Sequence, residues 1–232
     1  MSDKKLMAAL TEFQNKQKQL SSIDGGMRAL ELADLFKPIA KQLLFGGSFV
    51  VYSKEKPVRR VYPHCVEFYY HEESEGGFKD YIVYHRNKVS VKKDKCTVVP
   101  KDYFPIGSIN THQSGIDITF ESETGQYRAS ALIRAFRYEE GNKEIVDSRS
   151  TYLYDQLFTG LQMPITIQWE DNDSMPDLEP KIGYRVNVFK YEPELGVYGK
   201  PVQTKKQDCR PWAFRVDEFP AKLRYNPEKM VK

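Results

Sequence analysis

The stretch from Tyr103 to Tyr138 constrains the fold of this chain more than any other. Between Gly115 and Glu121 apolar and polar residues alternate, which is the period of a half-buried strand. A polar run containing a glycine follows, and a β-rich apolar segment resumes from Tyr127 to Tyr138. The stretch therefore predicts a hairpin with a short loop. Asp117 is expected to face away from the Ile/Phe core, on the sheet that carries Arg134. The apolar residues of the first strand are Ile116, Ile118 and Phe120.

The rest of the chain predicts helices followed by strands. Apolar residues at helical spacing indicate one helix from about Asp3 to Leu20 and a second from Met27 to Leu44, which Pro38 is expected to kink or divide. A short helix is predicted over residues 151–161. Segments rich in β-branched and aromatic residues predict strands; they lie at 48–53, 58–73, 80–91, 163–169 and 181–191.

This order predicts a single-domain α+β fold, with N-terminal helices followed by a curved, mostly antiparallel β-sheet. Residues 1–26 are expected to form an N-terminal helical extension, and residues 27–232 a single α+β domain. A core of this size is stable without disulfides or metals.

Composition says more about the cellular compartment of the protein than about its function. The net charge of +3, from 35 Lys+Arg against 32 Asp+Glu, neither demands nor opposes a polyanionic partner. Three widely spaced cysteines without a CxxC pair favour a reducing compartment over a disulfide framework. No stretch has the length and apolarity of a signal peptide core or a spanning helix. We expect a cytoplasmic, monomeric protein without a membrane partner.

The segment from Tyr62 to Glu73, YPHCVEFYYHEE, holds the strongest candidate for chemistry. On a strand, Glu67, Tyr69 and His71 project from one face, and the intervening residues from the other. A carboxylate there can act as a general base on water, while the phenol and imidazole stack on or hydrogen-bond to a planar substrate. The alternative is a strand whose polar side simply faces solvent.

Other kinds of site find less support in the sequence. His64 and His71 are seven residues apart, on opposite faces of a regular strand, and no HExxH motif is present, so no metal is predicted. His112, Ser114 and Asp117 lie too close together on one strand to form a nucleophile triad, and no GxSxG elbow occurs. Without a Walker A or dinucleotide glycine motif, no cofactor is expected.

Five segments in succession resemble the alkyladenine (3-methyladenine) DNA glycosylase family. They are AKQLLFGGSFVV, HCVEFYY, ALIRAFRY, EPKIGY and RPWAFRV, in that order, between about Phe36 and Val216. The resemblance implies that residues 27–232 form a glycosylase-like domain, and that the protein is a metal-independent hydrolase whose partner is damaged double-stranded DNA. Such an enzyme flips a modified purine out of the duplex and cleaves its N-glycosidic bond.

The resemblance also implies roles for individual residues. Glu67 matches the general base that activates water for attack at the sugar carbon, and Tyr69 matches the aromatic residue that packs against the flipped base. Arg134 matches an arginine near the catalytic centre, and Asp117 lies close to the position of a pocket asparagine that contacts the base edge. The histidine role is expected to pass to His71 or His112.

Two segments depart from the family pattern. This chain has HEESEGG after the candidate glutamate and INTHQSGID in the later position, and the tyrosine that wedges the duplex has no clear counterpart. Glu72, Glu73 and Glu75 are expected to repel phosphates beside the site. The alternatives are a non-catalytic nucleic-acid- or small-ligand-binding protein on the same scaffold, and a small-molecule hydrolase that uses His112 or Asp117.

Overall fold

A computed structural model describes residues 3–20, 25–92, 95–112, 114–122, 124, 126–185, 188–192 and 202–216. The predicted α+β fold is confirmed: helices pack with a curled antiparallel sheet that forms a half-barrel. The chain order, helices first and then strands, is also as predicted.

Three helices occur in the described residues: α1 (Lys4–Gln17), α2 (Gly25–Phe45) and α3 (Ser150–Phe158). Pro38 was expected to kink or divide the second helix; the division was wrong, because α2 runs through Pro38. Pro38 lacks the N–H that bonds one turn back, but burial of Phe36, Ile39 and Leu43 on both sides of it stabilises the helix. None of the described helices has the length and apolarity needed to cross a membrane.

The described strands are β1 (Gly47–Ser53), β2 (Lys56–Glu72), β3 (Lys88–Lys92), β4 (Lys95–Val99), β5 (Ile109–His112), β6 (Gly115–Thr119), β7 (Tyr127–Glu140), β8 (Lys143–Asp147), β9 (Ile165–Asp171), β10 (Lys181–Gly183), β11 (Phe189–Glu192), β12 (Val202–Gln207) and β13 (Ala213–Arg215). The main sheet is built around the two long strands β2 and β7, and its path is β10-β13-β2-β7-β6-β5. In the same sheet β1 joins β2 to β9, and β8 pairs with β7. The pairs β3–β4 and β11–β12 form two separate two-stranded sheets.

The hairpin predicted from the opening stretch is confirmed as β6 and β7, which pair antiparallel. Two other strand predictions were too long. Residues 80–87 form turns rather than strand. Among the described residues of the segment 181–191, strand is found only at the two ends, in β10 and β11. In both segments a buried charged residue, Asp80 or Arg185, is held in an ion pair. These polar contacts compete with the pairing that the apolar pattern suggests.

One aromatic core lies on one face of the sheet and joins it to both N-terminal helices. Phe36 of α2 stacks on Phe13 of α1, at 5.4 Å between ring centroids, and on Phe68 of β2, at 4.5 Å. Burying a phenylalanine contributes about 2–3 kcal/mol. Because α1 supplies Leu6, Leu10 and Phe13 to the same cluster, the first helix packs in the core of the sheet.

Candidate functional site

The register of the sheet places residues of three strands in one row across its second face. Glu67 of β2 is opposite Leu132 of β7, and Leu132 is opposite Asp117 of β6. Directly opposed residues on neighbouring strands project from the same face. The core takes the other face, through Val66, Phe68 and their neighbours. This row therefore puts two carboxylates on the side of the sheet that the aromatic core leaves free.

A cavity of about 580 Å³ lies over this row. Its volume is in the range typical of small-molecule and cofactor sites. Four residues expected at the site line it together: Tyr69, His112, Asp117 and Arg134. The remaining lining residues are Ile82, Val83, Tyr84, His85, Ser114, Ser130, Leu132 and Val188. The cavity thus combines aromatic rings, apolar walls and a few polar groups.

Glu67 is fully buried directly behind the cavity wall. The Tyr69 hydroxyl donates a hydrogen bond of 2.8 Å to its Oε2, and Arg134 Nε lies 3.3 Å from the same oxygen. Burial, together with the Glu67 carboxylate, holds the pKa of the Tyr69 phenol well above its usual value, so the phenol stays protonated as the donor. Glu67 thus contacts two lining residues without itself lining the cavity.

A buried charge cluster packs against the Tyr69 ring through Arg185. The cluster is defined as Asp80, Arg185, Asp208 and the partly exposed Arg210. The Arg185 guanidinium lies 4.9 Å from the Tyr69 ring centroid and bonds to Asp80 at 2.6 Å and Asp208 at 2.7 Å. Although burial opposes its charge, the two carboxylates raise the pKa of Arg185 above its usual value. The cluster therefore fixes the orientation of the ring that the cavity presents to a ligand.

Asp117 and His112 form a hydrogen-bonded pair at the other end of the row. The Ser114 backbone N–H donates to His112 Nδ1 at 3.1 Å, so the ring proton belongs on Nε2, which lies 3.0 Å from Asp117 Oδ2. Asp117 Oδ1 is buried and has no hydrogen-bond partner within the described part of the chain. An acceptor in this state lacks the donor that buried polar groups normally have.

Sequence reasoning did not identify His85 and Tyr84, which also line the cavity. His85 Nδ1 contacts Glu121 and its Nε2 lies 3.4 Å from the Ser130 hydroxyl. Tyr84 packs its ring 4.8 Å from the ring of His112. One feature of the sequence could have indicated them. The apolar run within residues 80–91 becomes polar at His85, which is typical of the end of a strand and the start of a loop.

His71 is not among the residues that line the cavity, although it shares a strand face with Glu67 and Tyr69. Its Nδ1 accepts a 3.1 Å hydrogen bond from the Asp80 N–H, and its Nε2 lies 3.8 Å from Glu73 Oε2. Burial is the main reason that the pKa of His71 is lowered to about 4. His71 therefore anchors the turn that begins at Asp80 and covers this end of β2.

Two of the three acidic residues expected to repel phosphates are paired with arginines. Arg28 Nη2 lies 2.6 Å from Glu72, and Arg128 Nε lies 3.1 Å from Glu73. Glu75 is exposed on the turn after β2. The negative charge beside the cavity is therefore smaller than the sequence suggests.

The structure defines the chain as an α+β half-barrel with a mixed aromatic and polar cavity on one face of its sheet. Within the described ranges, no three His, Cys, Asp or Glu side chains cluster closely enough to hold one metal ion. Comparison with protein-family models, curated proteins and solved structures finds no match to this chain. The functional argument therefore depends on the geometry of the cavity.

Proposed function

We propose that this protein is a glycosylase-like hydrolase that accepts a modified purine flipped out of damaged double-stranded DNA and cleaves its N-glycosidic bond. The observation that carries the proposal is the position of Glu67. It is a buried carboxylate in contact with Tyr69 and Arg134, both of which line the cavity. It also stands in the same cross-strand row as Asp117.

The row has the right dimensions for a purine nucleoside. Two strand spacings separate the backbones of Glu67 and Asp117 by about 10 Å. In a purine, the glycosidic nitrogen and the Watson–Crick edge lie on opposite sides of the ring system. A base placed over Leu132 then directs its sugar toward Glu67 and Arg134 and its Watson–Crick edge toward Asp117. Tyr69 supplies an aromatic surface beside it.

The chemistry requires one water and one base. The water oxygen forms a bond to the sugar C1′, its proton passes to the Glu67 carboxylate, and the electron pair of the C1′–N bond leaves with the purine. The same carboxylate stabilises positive charge that develops on the sugar. Because Glu67 is buried behind Arg134 and does not line the cavity, this step requires Arg134 to move aside when a substrate binds. Arg134 Nη1 lies 3.3 Å from the Ser150 hydroxyl, a contact that does not depend on Glu67.

One observation favours the alternative of a binding protein without chemistry. Glu67 is completely buried and already engaged by Arg134, as a purely structural ion pair would be. The small-molecule hydrolase has weaker support. Both ring nitrogens of His112 have partners, Asp117 and the Ser114 N–H, so neither is directed at a hydroxyl nucleophile.

The proposal is tested by release of free base from duplex DNA containing methylated purines, measured by chromatography. The wild-type chain should release base, and Glu67→Gln should reduce the rate at least about 100-fold, as expected when a general base is lost. Glu144→Gln, at a half-exposed position on β8, is the matched control and should leave the rate unchanged.

The outcomes separate the two functions. Base release by Glu67→Gln at the wild-type rate would remove Glu67 from the mechanism. No release by the wild-type chain across a panel of lesions, with duplex binding retained at low salt, would support the binding protein instead.

A further inference from the structure

We infer that Asp117 makes the cavity selective for purines with a guanine-type Watson–Crick edge, in which two N–H donors are adjacent. The inference rests on the proposed function for the orientation of the base. It adds a class of substrate, because the proposed function does not say which purine is accepted.

The first observation is the unpartnered oxygen of Asp117. Asp117 is 3 % exposed, lines the cavity, and its Oδ1 has no hydrogen-bond donor among the described residues. An ionised carboxylate is an acceptor only. A ligand that supplies an N–H to this oxygen removes the penalty of a buried acceptor without a donor, whereas a ligand that supplies another acceptor adds repulsion.

The second observation is the fixed orientation of His112. Because the Ser114 N–H occupies Nδ1, the Nε2 proton points to Asp117 Oδ2. This contact orients the carboxylate plane, and Oδ2 keeps a second lone pair for a ligand donor. The two oxygens can therefore accept from two adjacent N–H groups, in the bidentate manner of other carboxylate contacts.

The third observation is the burial of Asp117 itself, which lies beside two packed rings. Tyr84 packs against His112 with 4.8 Å between ring centroids, and both line the cavity beside Asp117. Because Asp117 is almost completely buried, a hydrogen bond that a ligand makes to it is stronger than in water, and a missing one costs more.

These requirements rank the purine edges. Guanine presents N1–H next to its 2-amino group and satisfies both oxygens. Hypoxanthine keeps N1–H and lacks the amino group, so it satisfies one. Adenine presents the N1 acceptor next to its 6-amino group and places a lone pair against the carboxylate. Sites that hydrogen-bond a polar group reject analogues that lack it.

The test measures binding of free bases to the full-length chain by calorimetry. The probes are 7-methylguanine and 7-methylhypoxanthine, which differ only in the 2-amino group. We expect the wild-type chain to bind 7-methylguanine at least about tenfold more tightly, the discrimination of one good hydrogen bond. Asp117→Asn replaces an acceptor with a donor and should reduce the preference to about threefold or less. Asp177→Asn, on an exposed loop, should retain it.

Equal affinity of the wild-type chain for the two bases overturns the inference, as does failure to bind either. An unchanged preference in Asp117→Asn overturns it as well. The comparison within the wild-type chain needs no variant, so misfolding of Asp117→Asn leaves the test intact. A preference for 7-methylguanine without base release from DNA keeps the edge selectivity and rejects the hydrolysis. Base release from DNA without a preference for 7-methylguanine supports the hydrolysis and rejects the edge selectivity.

Discussion

His71 and Glu67 lie on the same face of β2, four residues apart, and their surroundings give them different functions. Glu67 is opposite Leu132 and reaches the back of the cavity through Tyr69 and Arg134. His71 lies under the turn at Asp80 and bonds to that backbone. Both side chains project from the same strand face, so the strand does not distinguish them. Their functions differ because different neighbours cover them.

His71 also makes stability depend on pH. Burial lowers its pKa in the folded chain to about 4, with Glu73 and Asp80 opposing the shift and Lys79 and Arg86 adding to it. In the unfolded chain the value returns to about 6.5. The unfolded state therefore binds more protons between these values, and stability is complete above about pH 6.5 and lost as the pH falls toward 4.

We expect protonation of His71 to lower the free energy of unfolding by about 2 kcal/mol between about pH 8 and pH 5. His71→Asn keeps an acceptor for the Asp80 N–H but does not titrate. Its free energy of unfolding should therefore fall by about 2 kcal/mol less than that of the wild type over the same pH range. Urea unfolding at the two pH values measures the difference, with circular dichroism at the higher pH as the control for folding. Parallel losses in both proteins would show that His71 is not the titrating group.

At the scale of elements, Gly115 brings α3 against the start of β6. Its φ is +134°, a conformation that residues with a Cβ rarely adopt. A Cβ at this position would lie 2.9 Å from the Ser150 Cβ and 3.2 Å from Leu132. Ser150 in turn contacts Arg134. The glycine therefore permits the close approach that positions one wall of the cavity.

Gly115→Ala should destabilise the fold by about 2–4 kcal/mol, from backbone strain together with the contact with Ser150. It should also weaken binding of a purine, because Arg134 moves with Ser150. Gly141→Ala is the matched control: φ is +56° there, and no atom lies within 4 Å of the added Cβ, so only strain is expected. Urea unfolding and base binding are the measurements. Equal effects of the two substitutions would mean that the contact with α3 is unimportant.

At the scale of the whole molecule, the buried charge cluster joins segments far apart in the sequence. Asp80 begins the cavity turn, defined as residues 80–87, Arg185 follows β10, and Asp208 follows β12. Although burial opposes ionisation, Arg210 and Arg185 hold the pKa of the Asp208 carboxyl well below its usual value. The cluster therefore fixes the cavity turn to the last strands and supports the Tyr69 ring.

Asp208→Asn should lower the free energy of unfolding by about 3 kcal/mol, because it leaves the buried Arg185 with one carboxylate instead of two. It should also loosen Tyr69 and so reduce purine affinity. Asp177→Asn, which breaks only an exposed pair with Lys41, should change stability by less than about 1 kcal/mol. A variant as stable as the wild type in urea unfolding would show that the cluster gives no net stabilisation.

Much of the fold follows from local patterns in the sequence. The alternation of Gly115 to Glu121 and the apolar run of β7 predict their hairpin, because a half-buried strand needs a period of two. The same rule puts Glu67 and Tyr69 on one face. The patterns fail where buried charges intervene: residues 80–87 look like a strand, yet Asp80 pairs with Arg185, more than a hundred positions away. The local spacing of apolar residues carries no information about a contact between such distant residues.

The sequence by itself therefore determined the α+β class, the central hairpin, the face of β2 that carries Glu67 and Tyr69, and the face of β6 that carries Asp117. Only the tertiary structure decided which of these residues meet. Register aligns Glu67, Leu132 and Asp117 across three strands. The turn after Asp80 covers His71 and brings His85 and Tyr84 to the cavity. The physical reason is that side-chain direction depends on neighbours in the chain, whereas burial and pairing depend on contacts between distant segments.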